Sequence, residues 1–199
     1  MSTPVEPPKD AADPRAFIAV PARVWYSRDV HAVAHDLLGA YLTSRSPEGD
    51  VTVRLTEVEA YAGAEDPGSH AFRGRTPRTA VMFGEPGRLY VYRHLGLHHC
   101  VNVVAEPAGR ASAVLLRAGQ VVEGVGLARA RREAVGVVDS EAHRQESSGL
   151  PPIASGPRVG VSGSGADAGR FPWRYWLTGD PTVSAYRPAY RPPASVDVP

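Results

Sequence analysis

Residues 51–61 read Val51-Thr52-Val53-Arg54-Leu55-Thr56-Glu57-Val58-Glu59-Ala60-Tyr61. Val51, Val53 and Leu55 alternate with Thr52, Arg54 and Thr56, the period of a β-strand with one buried face. The same parity carries Glu57, Glu59 and Tyr61 along the inward row, unless a bulge shifts the register. Glu59 stands where this strand opens into the loop Ala62-Gly63-Ala64-Glu65-Asp66-Pro67-Gly68. A carboxylate at the rim of a core can serve as a base toward water. It can equally form an ion pair with one of the chain's many arginines. Glu57 lies on the same nominal face, and two such carboxylates could divide the acid and base work of a glycosidase. Their spacing alone assigns neither role.

Working outward, Ser27 can cap a helix over residues 28–40, where Val30, Val33, Ala34, Leu37 and Leu38 recur at helical spacing. Downstream, residues 88–94 and 98–105 read as strands joined by Leu95-Gly96-Leu97, a hairpin. Residues 111–118 predict another strand, with Leu115 and Arg117 on one face. Residues 121–132 predict a helix whose basic end complements its dipole, and residues 173–178 a last strand. Short hairpin links favour an antiparallel α+β domain over a doubly wound sheet. Residues 1–16, rich in proline, predict a disordered tail. Residues 17–186 form a single domain with an irregular loop at 135–156, residues 162–169 make a Gly/Ser-rich turn, and residues 187–199 make a loose tail.

Composition narrows the chemistry. The chain has 199 residues, 22 basic against 21 acidic, and one cysteine, Cys100. Lys9 is the only lysine, so the folded body offers no lysine nucleophile. One cysteine excludes an internal disulfide framework and a multi-cysteine zinc knuckle. No apolar run approaches the ~20 residues of a membrane span, and no secretory h-region opens the chain, so a cytoplasmic protein is expected. No phosphate-binding Gly-rich loop with a following lysine occurs, and Gly163-Ser164-Gly165 lacks the strand–turn–helix setting of a nucleophile elbow. His94, His98, His99 and Cys100 do not follow a metal-ligand spacing, and no metal or other cofactor is expected.

The near-zero net charge hides a polarity. Between Arg45 and Asp66 stand two arginines and six acids; between His70 and Arg93 stand five arginines and one acid. The run Arg73-Gly74-Arg75-Thr76-Pro77-Arg78 concentrates three arginines in a loop, a pattern suited to a phosphate backbone or another polyanion. Tyr61, His70, Tyr90 and Tyr92 could stack on a planar ligand such as a nucleobase, or simply fill a core.

These residues fall in a familiar order. Glu57-Val58-Glu59-Ala60-Tyr61, Glu65-Asp66, His70, Arg75-Thr76-Pro77-Arg78, Met82-Phe83, Pro86-Gly87-x-Leu89-Tyr90-Val91-Tyr92 and Asn102 together resemble the alkyladenine (3-methyladenine) DNA glycosylase family. The similarity runs from about Val24 to Arg132 and resumes at Pro157-Arg158-Val159-Gly160 and Trp173-Arg174-Tyr175. It implies one domain with a curved, mostly antiparallel sheet, a partly open barrel flanked by helices. It also implies a monofunctional base-excision repair enzyme that flips an alkylated purine out of double-stranded DNA and hydrolyses its N-glycosidic bond.

By the resemblance, Glu59 is the base that deprotonates water and Arg117 the arginine beside the reacting sugar. Tyr61, His70 and Tyr92 are the walls of the base pocket, and Asn102 crowds the exocyclic amine of guanine. Leu95 stands at the wedge position, often Tyr in the family, and Arg73, Arg75 and Arg78 meet the DNA backbone. The family's Gly-Pro-x-Lys-Leu element is matched only by Gly156-Pro157-Arg158, which runs directly into Val159-Gly160, read as the start of a later strand. A strand-cleaving lyase step needs an amine, usually lysine, so simple hydrolysis by a monomer is expected. Two other classes stay open: a lesion-binding DNA module without activity, and a hydrolase of small nucleosides.

Overall fold

The computed structural model describes residues 20–94, 96, 98–134 and 150–189. The expected tail at 1–16, the 190–199 part of the expected tail at 187–199, the 135–149 part of the expected loop, and Leu95 lie outside them. Among the described residues, no helix is long and apolar enough to cross a membrane.

The fold is α+β, built among the described residues on seven strands that all pair antiparallel: β1 (Tyr41–Ser46), β2 (Gly49–Tyr61), β3 (Leu89–His94), β4 (His98–Ala105), β5 (Ser112–Glu123), β6 (Ile153–Gly156) and β7 (Arg174–Leu177). The order across the sheet is β3-β4-β5-β2-β7-β6, and it does not close into a barrel. The quoted stretch forms the central strand. β5 runs along one edge of β2, while β1 covers its first half and β7 its second half on the other edge.

Among the described residues three short α-helices accompany the sheet: α1 (Arg23–Tyr26), α2 (Val30–Leu37) and α3 (Val125–Ala134). Helix α2 starts two residues later than its expected cap allows, because Asp29 rather than Ser27 caps it. The Asp29 carboxylate accepts from the backbone N–H of His31 and Ala32. Its apolar stripe, Val30, Val33, Ala34 and Leu37, packs with Leu55, Val58, Ala60, Val114 and Leu177 into one core. Burying each such aliphatic side chain contributes about 1.5–3 kcal/mol. A second core, Ala71, Met82, Tyr90, Val104, Ala111 and Ala113, backs the other side of the β3–β4–β5 region.

Several boundaries differ from expectation. β1 has no counterpart in the sequence reading, since its residues YLTSRS are mostly exposed and carry little apolar alternation. Residues 121–123 continue β5 rather than opening α3, because Gly124 breaks the chain there with φ +72°. Within the expected loop at 135–156, residues 153–156 form β6 by pairing with β7. Val159-Gly160 is a turn and not a strand.

Candidate active site

The central strand does not keep its parity. Between Leu55↔Gly119 and Glu57↔Ala118 the register passes over Thr56, and between Glu57↔Ala118 and Val58↔Leu116 it passes over Arg117. One extra residue on each strand makes a bulge that re-aims the side chains beyond it. Leu55, Val58 and Ala60 therefore all belong to the α2 core. The expectation that Glu57 and Glu59 continue the Leu55 row is corrected: the bulge turns them to the opposite face. There Glu59, Tyr61, Leu115 and Arg117 line a cavity of about 310 Å³.

The two carboxylates are both fully buried but differently supplied. Glu57 accepts from Arg174 Nε at 2.6 Å, from the Ser184 backbone N–H at 2.7 Å and from Ser184 Oγ at 2.9 Å, and lies 3.0 Å from Arg117 Nε. It is saturated by donors and does not line the cavity, so it anchors Arg117 and the 184 segment instead of sharing chemistry with Glu59. Glu59 reaches the cavity. Its Oε2 accepts from the Tyr61 hydroxyl at 2.7 Å, its Oε1 accepts from the Val159 backbone N–H at 2.8 Å, and Arg117 Nε lies 3.6 Å away. Burial pushes the Glu59 carboxyl above the ordinary range. Arg117 and the Val159 and Tyr61 donors pull it back, and Glu57 adds to the rise. Burial and then Glu59 raise Tyr61 well above the usual phenol range, so its hydroxyl keeps the proton it donates.

Aromatic rings form the walls. The hairpin β3–β4 places Tyr90 opposite Asn102 and Tyr92 opposite Cys100. The His70 ring lies 4.7 Å from the Tyr92 ring, centroid to centroid, and His70 Nδ1 is 3.1 Å from the Tyr90 hydroxyl. Enclosure among these rings holds the His70 pKa below the ordinary histidine range, with Arg78 and His94 adding to the drop, so neutral imidazole faces the cavity at pH 7. Asn102 is buried and donates its Nδ2 to the Tyr90 carbonyl at 3.0 Å and the Cys100 carbonyl at 3.4 Å. Two backbone acceptors pin that amide, so it cannot swing aside for a bulkier guest.

Of the residues singled out from sequence, Glu59, Tyr61, His70, Tyr92, Asn102 and Arg117 all line this one cavity. Arg73, Arg75 and Arg78 are exposed nearby in sequence to His70, and the Arg78 guanidinium lies 5.2 Å from the Tyr92 ring centroid, at the rim. Sequence reasoning missed Arg158 and Ser184. Arg158 is buried and paired with Asp66, and Ser184 bridges Glu57 and Arg117, lying 3.2 Å from Arg117 Nε. The only signal for Arg158 was its place in the Pro157-Arg158-Val159-Gly160 match.

Residues 24–143 match the methylpurine-DNA glycosylase (MPG) family. The chain belongs to the methylpurine-DNA glycosylase family. Similar proteins agree. One from Streptomyces avermitilis is 46% identical, covering 83% of this chain and 91% of its own. One from Leifsonia xyli is 46% identical over 89% and 96%, and one from Mycobacterium tuberculosis is 41% identical over 83% and 94%. Each is named "Putative 3-methyladenine DNA glycosylase". The Streptomyces alignment spans 196 positions but takes in 83% of 199 residues, about 165, so roughly 30 positions of that relative have no counterpart in this methylpurine-DNA glycosylase family member.

Proposed function

We propose that this chain is a monofunctional DNA glycosylase that removes alkylated purines of the 3-methyladenine type and leaves an abasic site for base-excision repair. The observation that carries the reading is Glu59. It is a buried carboxylate on a cavity floor, held by one donor on each oxygen and set 3.6 Å from Arg117. In the proposed reaction an alkylated purine is flipped into the cavity and stacks among Tyr61, His70 and Tyr92. Alkylation makes the base a good leaving group, so the glycosidic bond breaks with positive charge building on the sugar. The Glu59 carboxylate stabilises that charge and takes a proton from the attacking water. Arg117 keeps Glu59 ionised and faces the sugar and phosphate. Asn102, pinned to backbone carbonyls, crowds a guanine amine and favours adenine lesions.

Arg73, Arg75 and Arg78 are proposed to grip phosphates of the duplex beside the cavity, and Leu95 to fill the gap left by the flipped base. The enzyme is proposed to act as a monomer in the cytoplasm. The saturated Glu57 argues against a two-carboxylate mechanism on this strand, and the exposed arginine loop favours duplex DNA over a free nucleoside. The test is base release from duplexes carrying 3-methyladenine or 1,N6-ethenoadenine. The expected result is abasic sites with the parent enzyme. Duplex binding with no base release on any lesion would instead support a recognition module.

A further inference from the structure

Arg158 does not itself line the cavity, and it packs against residues that do. Its side chain is fully buried, and its two terminal nitrogens fork onto the two Asp66 oxygens. The same nitrogens donate to the Ala60 carbonyl at the end of β2 and to the Gly165 carbonyl in the 163–166 turn, both at 3.0 Å. Its guanidinium lies 4.6 Å from the Tyr61 ring centroid. The surroundings are shaped to admit it: a Cβ on Gly68 would stand 2.5 Å from Arg158 Nη2, and a Cβ on Gly165 would stand 2.4 Å from the Gly68 nitrogen. Both donors that hold the Glu59 carboxylate lead back to this group. Val159, whose N–H meets Oε1, is its chain neighbour. Tyr61, whose hydroxyl meets Oε2, has its ring stacked on the guanidinium.

We infer that Arg158 is a positioning residue for base release, holding the Val159 amide and the Tyr61 hydroxyl on the two oxygens of Glu59. This rests on the proposed role of Glu59 as the base. A planar fork with two bonds to one carboxylate and a face for an aromatic ring is what arginine supplies and lysine does not. The charged and titratable groups around Glu59 are Arg117 from β5, Glu57 and Tyr61 from β2, and, across the cavity, His70 and Tyr92. Replacing Arg158 removes none of them. What changes is the aim of two donors that favour the ionised carboxylate, and their loss raises the pH at which Glu59 ionises.

The experiment is a single-turnover pH–rate profile on an ethenoadenine duplex for the parent, Arg158→Lys and Asp66→Asn, with duplex Kd and thermal melting alongside. Arg158→Lys keeps the buried charge and removes the fork. The expected result is an excision rate down about tenfold at pH 7, an acid limb moved up by about one pH unit, and duplex Kd within about twofold of the parent. Asp66→Asn loosens the same fork from the other side and is expected to move the acid limb in the same direction, so it decides the matter where Arg158→Lys does not fold. An acid limb unmoved in a folded variant overturns the assignment and leaves Arg158 a group that only holds the fold. A parent enzyme that releases no base defeats the proposed function instead, before any variant is compared.

Discussion

Glu59 and Glu57 are two residues apart and both lack solvent exposure, yet their surroundings give them different work. Glu57 meets two guanidinium groups and both donors of Ser184, while Glu59 meets one backbone amide, one phenol and, at a longer 3.6 Å, the same Nε of Arg117. Burial therefore dominates at Glu59, and its carboxyl ionises above the ordinary ~4.3 of a glutamate. The sign of the linkage follows. A carboxyl raised on folding holds its proton longer in the native state, so its contribution to stability is greatest below the unfolded pKa and is lost as pH rises through the folded one. With Glu59 as the proposed base, excision requires the ionised form, so its rate is expected to rise with pH along an acid limb lying above the ordinary ~4.3, read from a single-turnover pH profile. At neutral pH, Glu59→Gln removes the cost of a buried charge, and its Tm is expected above the parent's in thermal melts.

Asn102 gives a second prediction at this scale. Its amide is pinned by two carbonyls, so Asn102→Gly opens space where, in the proposed function, a guanine amine is crowded. Release of 7-methylguanine relative to ethenoadenine should rise by about tenfold, the low end of the roughly 10–200-fold that steric discrimination supplies. The measurement is the ratio of excision rates on the two duplexes.

At the scale of elements, five of the strands and α2 were legible because their signals are local, whereas β1 and β6 were not. Period-2 alternation marked β2, a three-residue link marked the β3–β4 hairpin, and 3.6-residue spacing marked α2. The bulge at Thr56 was not legible, since nothing in VTVRLTEVEAY distinguishes a continuous strand from one that turns its carboxylates to the other face. That turn decides whether Glu59 enters a core or a cavity. The partners of the two carboxylates were hidden for another reason: Val159 is 100 residues from Glu59, and Ser184 is 127 from Glu57. Periodicity carries no information about such pairings, whereas the family resemblance brought six cavity residues together without showing what holds them. The cap of α2 tests the element separately from the site. Asp29→Ala removes the acceptor for two backbone N–H groups and is expected to cost about 1 kcal/mol, or about 2–4 °C in Tm, with the excision rate per folded molecule unchanged.

Across the whole molecule, charge is sorted rather than summed. A chain of net charge +1 keeps six acids in and around its central strand and presents Arg73, Arg75 and Arg78 in one exposed loop. Acids on that strand are buried or paired, so the loop is left to set the field that a duplex meets. Each phosphate contact adds to the salt dependence of binding. Arg73→Ala and Arg75→Ala are each expected to lower the slope of log Kobs against log salt by about one, equally for lesion and undamaged duplexes. Arg78→Ala should also weaken lesion preference, because its guanidinium covers the Tyr92 ring.

The central claim is that Glu59 drives the chemical step while other groups bind. The most direct measurement compares parent and Glu59→Gln in single-turnover excision of ethenoadenine, with enzyme in saturating excess over duplex at neutral pH. A loss of about 10²–10⁴ in the rate of base release, with duplex Kd within about twofold, is the predicted result. A variant that releases the base at the parent rate would contradict the account.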